Sequence, residues 1–248
     1  MLKQTFLEQY KILFRPVSFD PNIINEIINL KVYDRAISLL KDPKIIVDLG
    51  AHIGIFSIYI LTKFPEARVY AYEPEEENFN LLTLNVNLNN LQSKILTRQL
   101  AVSDYSGIQY LKLNLDHCGN HVLIDSLPIS QTPGAYRPVA VLTLEDILIL
   151  SGSEIDLLKM DIEGTEAKII TQETSCLNKV KTFVSELHGN LESLSKICSK
   201  YFKNVETKGD ILTAWKENTF QNIEIKEQEN ISGETNEKEN SGTPEGTK

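Results

Sequence analysis

The run Ile45–Ile60, IIVDLGAHIGIFSIYI, constrains this chain more than any other segment. Ile45, Ile46 and Val47 form the unbroken β-branched run of a strand covered on both faces. Asp48 closes the run, Gly50 and Gly54 supply a tight turn, and Ile55–Leu61 resumes with helical packing. A turn of this kind lets backbone N–H groups and a helix N-terminus approach a ligand with no Cβ in the way. The plainer alternative is a strand–helix junction that needs glycine for packing alone.

The glycine spacing separates two kinds of ligand. A dinucleotide site requires G-x-G-x-x-G with a pyrophosphate over the helix start. Here Gly50 is followed by Ala51 and His52, so the middle glycine is missing, and no Gly-Lys-Ser/Thr follows for a Walker-type loop. The turn therefore suits a nucleoside lying flat better than a diphosphate. The next strand, Arg68–Pro74, ends on Glu73, roughly twenty to twenty-five residues past the turn, where doubly wound sheets place the acid that binds ribose hydroxyls. A carboxylate there can accept from both vicinal hydroxyls at once. A solvated carboxylate at a helix start is the competing explanation.

Strands alternate with helices onward: Ile45–Leu49, Ile53–Lys63, Arg68–Glu73, Glu75–Leu88, and a third strand over Ile95–Val102 that stops at Ser103-Asp104. The β–α–β–α–β rhythm predicts an α/β fold with a parallel, doubly wound sheet and right-handed crossovers. Before it, residues 1–43 read as a helical segment, with Asn22–Leu40 packed on the sheet. Residues 107–140 break the rhythm as an antiparallel excursion, Ile108–Leu113 with His121–Leu127, around a loop of Asp116, His117, Cys118, Gly119 and Asn120. Loops beyond the carboxyl ends of parallel strands bind substrates. The main α/β region spans residues 44–219, and residues 220–248 have almost nothing apolar, a composition that predicts disorder.

Two later strands end in titratable groups. LLKMDIEGTE places Asp161 and Glu163 two residues apart, and FVSELHG places Glu186 and His188 at the same spacing. If these strands are neighbours, four groups converge on one crevice. They suit proton transfer, with histidine nearest neutrality, or a hard divalent cation held by carboxylates and imidazole. Strand ends that merely expose polar residues are the third explanation.

Composition narrows the partners. The chain has 248 residues, 42% hydrophobic and 24% charged, with a net charge of −9, and a duplex nucleic acid normally calls for a basic face. Cys118, Cys176 and Cys198 are too few and too widely spaced for a disulfide framework or zinc site. The N-terminus lacks a signal-peptide core, and no apolar run approaches the ~18 residues of a membrane span. A cytoplasmic location without a membrane partner is expected; oligomeric state has no sequence signature here.

Taken in order, VDLGAHIGIFS, VYAYEPEEENFNLLTLNVNLN, LAVSDYSG, LTLEDIL, LLKMDIEGTEAKII and FVSELH resemble the FkbM-like methyltransferases, a class I family dependent on S-adenosylmethionine. The match runs over roughly residues 44–188, with E-G-x-E after the fourth strand its specific part. The tRNA-guanine methyltransferases share a similar turn, but no N-P-P-[YF]-like segment occurs here. His52 stands where the family more often has asparagine.

The resemblance implies a Rossmann-like seven-stranded sheet with its last strand antiparallel, and methyl transfer to a hydroxyl of a sugar, glycan or small metabolite. By position, Asp48, Gly50, Ala51, His52 and Gly54 would face the methionine part of S-adenosylmethionine. Glu73 would take the ribose, while Ser103 and Asp104 would lie near the adenine. Asp161 and Glu163 would line the reaction centre. His188, whose ordinary pKa lies near neutrality, is the first choice of base with Asp161 and Glu163 close behind, and no residue is assigned to a metal, although a divalent cation among Asp161, Glu163, Glu186 and His188 stays open. An RNA methyltransferase and a non-catalytic cofactor-binding module are the rival readings.

Overall fold

The computed structural model describes residues 1–113, 121–128, 134–152, 154–172, 174–188 and 191–216. Two expectations therefore lie outside it: the loop Asp116–Asn120 and the tail 220–248.

The N-terminal segment opens with an antiparallel hairpin rather than a helix, β1 (Lys3–Leu7) and β2 (Tyr10–Phe14). Only Leu7 and Ile12 are fully buried, so its apolar signal is too sparse to read as a strand pair. The single helix expected over Asn22–Leu40 is instead α1 (Asp20–Ile24), one π turn (Asn25–Asn29) and α2 (Asp34–Ser38). The apolar spacing of Ile23, Ile24, Ile27 and Ile28 is helical, but Lys31 adopts a left-handed φ of 54° that stops the run. That break turns Tyr33 inward, to 3% exposure.

The main chain then follows the anticipated alternation: β3 (Ile45–Leu49), α3 (Ile55–Lys63), β4 (Arg68–Tyr72), α4 (Glu76–Leu88) and β5 (Ile95–Arg98). The predicted third strand is split. β5 stays in the main sheet, whereas β6 (Ala101–Ser103) leaves it to pair with β9 (Tyr136–Thr143). With β7 (Gly107–Lys112) and β8 (Val122–Ile124) these make a separate four-stranded sheet, ordered β6-β9-β7-β8. The antiparallel excursion is thus present as β7 against β8, and it forms a wall over the main sheet's carboxyl edge.

After α5 (Leu144–Ser151) come β10 (Ile155–Met160), α6 (Glu166–Gln172), a 3-10 turn (Thr174–Lys179), β11 (Val180–Glu186), α7 (Leu191–Cys198), β12 (Asn204–Lys208) and β13 (Ile211–Trp215). The seven-stranded sheet has the order β12-β13-β11-β10-β3-β4-β5, and only β13 runs against its neighbours. The fold is the Rossmann-like α/β sheet that the strand–helix rhythm requires. The order reverses between β3 and β10, the switch point where doubly wound sheets open a crevice.

Period-two alternation sorts the strands' side chains. Ile46 and Val69 pack with α3, α4 and the N-terminal segment, while Val47 and Leu49 pack with α5, α6 and α7. Helix α3 is buried all round, from Ile55 to Leu61, because the N-terminal segment covers the side away from the sheet.

The asparagines of NVNLNN do more than end α4. Asn85 Oδ1 accepts from Leu13 N at 2.8 Å, and its Nδ2 donates to Leu13 O and Ile53 O at 3.1 and 2.9 Å. Asn89 pairs Lys11 in the same two-way fashion at 2.8 and 2.7 Å. The two amides act as a surrogate strand that binds β2 to the helix.

Candidate active site

The glycine turn is shaped by its neighbours in the backbone. Gly50 has φ 76°, and a Cβ there would stand 1.8 Å from the Asp161 carbonyl oxygen. At Gly54, φ 89°, a Cβ would meet Leu82 Cδ1 at 2.6 Å. Both glycines are thus explained by close packing and left-handed backbone. Gly50 N and Ala51 N both donate to Tyr72 O, at 3.0 and 2.9 Å, tying the turn to the end of β4.

Glu73 follows directly on β4 and is 5% exposed. Its Oε2 accepts from His52 N at 2.8 Å and its Oε1 from Glu75 N at 2.9 Å. Burial raises its pKa to about 7 against those two bonds. His52 itself has a left-handed φ of 51°, and burial drives its pKa down to about 4, so the ring is neutral. Among the described residues neither ring nitrogen has a hydrogen-bond partner; Nε2 lies 3.5 Å from Asp20 Oδ1. Asp20 is fully buried and is gripped by Arg15 through its backbone N–H, Nε and a terminal nitrogen at 2.7, 3.1 and 2.8 Å.

Sequence reasoning missed Lys159. It lies directly opposite Asp48 in the β10–β3 register, and both are buried. Its ammonium is 3.2 Å from Asp48 Oδ1 and 3.5 Å from Asp161 Oδ2, and it donates to Gly50 O at 2.8 Å. Asp48 Oδ2 also accepts from Ser57 Oγ at 2.6 Å. These carboxylates hold Lys159 charged, above its ordinary pKa, although burial opposes it. The signal was available: a lysine within LLKMD can stand in a covered strand only if it has anionic partners. Asp48 accordingly serves the turn from beneath, and it is absent from the crevice wall.

The second acidic pair converges as expected, in part. Ligand atoms of Asp161, Glu163 and His188 lie within 4.8 Å of one another. His188 Nε2 is 3.5 Å from Glu163 Oε2, and Nδ1 is 3.4 Å from Glu166 Oε1. The buried Glu166, the second acid of E-G-x-E and given no role from sequence, also accepts from Ile162 N and Gly164 N at 2.9 and 3.2 Å. The hydrogen bond to Glu166 and the charge of Glu163 raise His188 to about 9. Glu186 is outside the trio; burial and the Asp161 charge raise it to about 7.

One crevice, about 950 Å³ of space open to solvent, joins these parts. Gly50, Ala51, His52 and Glu73 line it, as do Lys159, Asp161 and Glu163; Gly54, Glu186 and His188 are not among its lining residues. Ser103 and Asp104 are also absent from the wall. Ser103 Oγ donates to Asp104 Oδ1 at 3.0 Å, and Asp104 pairs Lys168 at 3.0 Å, because β6 turns away to join β9. Leu100, Ala101 and Val102 stand in their place. The N-terminal segment adds Phe19, Ile23 and Ile27, which no sequence signal had connected to the site.

These residues fit S-adenosylmethionine. A buried carboxylate, an apolar slot beside it, unpartnered imidazole nitrogens and an anionic far end match ribose, adenine and a cationic sulfur.

Fold and crevice together define a Rossmann-like protein of the methyltransferase type. The chain belongs to the Methyltransferase FkbM domain family, whose model matches residues 48–222. It is 30% identical to "Methyltransferase sdnD" of Sordaria araneosa over 174 residues, 60% of this chain and 66% of that protein. It is 24% identical to "31-O-demethyl-FK506 methyltransferase FkbM" of Streptomyces tacrolimicus, across 67% of this chain and 74% of that one. The chain thus spans about two thirds of the length of the first of these relatives. A crystal structure of "Methyltransferase FkbM" from Methylobacillus flagellatus KT superposes with a TM-score of 0.50 at 17% identity, over 72% of this chain and 45% of that one; this is a likeness of fold. Among the described residues, no helix is long and apolar enough to cross a membrane.

Proposed function

We propose that this chain is an S-adenosylmethionine-dependent methyltransferase acting on a hydroxyl of a sugar, glycan or small metabolite. The observation that carries the reading is that Glu73 and Asp161 line one crevice from opposite sides of the Gly50 turn. Family membership supports it, and one relative's name gives oxygen as its acceptor atom.

When bound, S-adenosylmethionine supplies an electrophilic methyl group on a cationic sulfur. The chain's task is to hold and orient. Glu73 would accept from the ribose hydroxyls, and Leu100, Ala101 and Val102 would cover the base. Asp161 and Glu163 offset positive charge at the other end of the crevice. An attacking hydroxyl must lose a proton, so the centre needs an acceptor. His188 was the first choice from sequence, but its two glutamate partners keep it protonated near neutrality. We therefore assign it a charge-balancing role among Asp161, Glu163 and Glu186, with a neighbouring carboxylate receiving the proton. The same trio has the ligand types of a divalent-cation site.

The test is calorimetry with S-adenosylhomocysteine followed by transfer of labelled methyl to a panel of hydroxyl compounds, with and without chelator. Binding plus labelling of a hydroxyl is expected, unaffected by chelator. Labelling of RNA instead would move the acceptor to nucleic acid, and binding without any transfer would leave a cofactor-binding module.

A further inference from the structure

The N-terminal segment reaches the crevice through one hydroxyl. Tyr33, at the start of α2, donates from its phenol oxygen to Asp161 Oδ2 at 3.3 Å. Its ring is fixed on two sides. Phe56 of α3 meets it edge-on, with centroids 5.3 Å apart and planes at 79°, and the Lys159 ammonium lies 5.8 Å from its centre. At 3% exposure the phenol is kept well above its ordinary pKa by burial and the nearby Asp161 charge, so it keeps its proton and can donate it to the carboxylate.

Asp161 Oδ2 is thereby loaded twice, by Tyr33 and by Lys159 at 3.5 Å. Among the described residues nothing donates to Oδ1. Yet Asp161 lines the crevice, and its side chain is 21% exposed. A carboxylate with one oxygen saturated and the other open is a fixed acceptor, aimed rather than free to rotate. Its position is set as well. Asp161 N donates to Leu49 O at 3.1 Å, and its carbonyl abuts Gly50 so closely that no side chain fits there. Asp161 Oδ1 therefore belongs beside the glycine turn, at the end where the methionine portion would lie.

We infer that Tyr33 is a positioning residue that turns Asp161 Oδ1 toward the crevice to receive the α-ammonium of the bound cofactor. The inference rests on the cofactor reading above. A cation suits this oxygen better than a neutral donor does. Lys159 neutralises only part of the charge of Asp48 and Asp161, and Glu163 and Glu186 add more. The N-terminal segment, outside the residues matched by the family model, then completes the cofactor site.

A binding cycle tests this. Calorimetry measures S-adenosylhomocysteine and the analogue lacking only its α-ammonium group, each against wild type and Tyr33→Phe. The variant keeps the ring contacts with Phe56 and Lys159 and removes one oxygen. The expected result is about tenfold weaker binding of S-adenosylhomocysteine, with the analogue's affinity the same in both proteins. Asp161→Asn should reproduce the pattern. Equal loss for both ligands, as from a merely structural defect, would overturn the assignment. So would an unchanged affinity for S-adenosylhomocysteine. Failure of the wild type to bind S-adenosylhomocysteine at all would sink the cofactor reading itself, an outcome distinct from the other two.

Discussion

His188 Nδ1 sits 3.4 Å from Glu166 Oε1, and this pairing, more than the exposed contact to Glu163, fixes the charge of the histidine. Because the folded-state pKa, about 9, exceeds the ordinary 6.5, the pair stabilises the fold fully below pH 6.5, and the contribution is lost as pH rises through 9. Glu166→Gln should bring the His188 titration back toward 6.5, followed by the imidazole proton resonances. It should also flatten the decline in denaturation midpoint between those two pH values. A His188 titration near 6.5 in the wild type would contradict the pairing.

His188→Ala should lower turnover while cofactor affinity stays intact, since the variant removes the cation that balances Asp161 and Glu163 from a position outside the crevice wall. Turnover measured against calorimetric affinity separates the two. Unchanged turnover would remove His188 from the reaction.

Glu73 makes the opposite prediction. Its Ala variant should weaken S-adenosylhomocysteine binding by about tenfold or more. In the wild type, affinity should fall as pH drops through about 7, because protonation takes one acceptor site from a carboxyl already engaged by His52 N and Glu75 N. Calorimetry across that range, with Glu73→Ala as the control that subtracts the titration of Glu186, checks both statements.

How much of this was legible in the residues differs by element. The strand–helix alternation was readable because β3 opens with an unbroken apolar run, and β4, β10 and β11 each carry a short, largely buried apolar stretch. Glu73 and Asp161 were readable because strand ends at a switch point present their polar residues to one crevice. The hairpin β1–β2 was not, since it buries few side chains and gains its hold from Asn85 and Asn89, which look like helix terminators. Ser103 and Asp104 were misplaced because nothing in ILTRQLAVSD marks where the strand changes sheets. Lys159 and Tyr33 depend on contacts between distant segments, and a single sequence shows those only as oddities, such as a lysine in an apolar run.

The two turn glycines should differ in tolerance. Gly50→Ala places a methyl against a backbone carbonyl that cannot yield, so a loss above about 3 kcal/mol or failure to fold is expected. Gly54→Ala meets the flexible end of Leu82 and should cost about 1–3 kcal/mol, mostly from its left-handed backbone. Urea midpoints rank them, and the reverse order would show that the turn relaxes at Gly50.

Asn85→Ala should cost about 2–4 kcal/mol, because it strands the backbone groups of Leu13 and Ile53 as well as losing its own bonds. Amide hydrogen exchange in residues 3–14 should accelerate with it. Asn89→Ala, on the exposed side, should cost about 1 kcal/mol.

The position of β13 between β11 and β12 has a consequence for how the chain is assembled. The last strand of the sheet in sequence is an interior strand in space, so the sheet acquires its final neighbour relations only when Ile211–Trp215 slots in. Until then β11 offers a full row of unpaired amides and carbonyls along its outer side, beside apolar Phe183 and Val184. A nascent or clipped chain lacking those five residues would be adhesive, and its exposure to other chains ends only with the insertion of that strand.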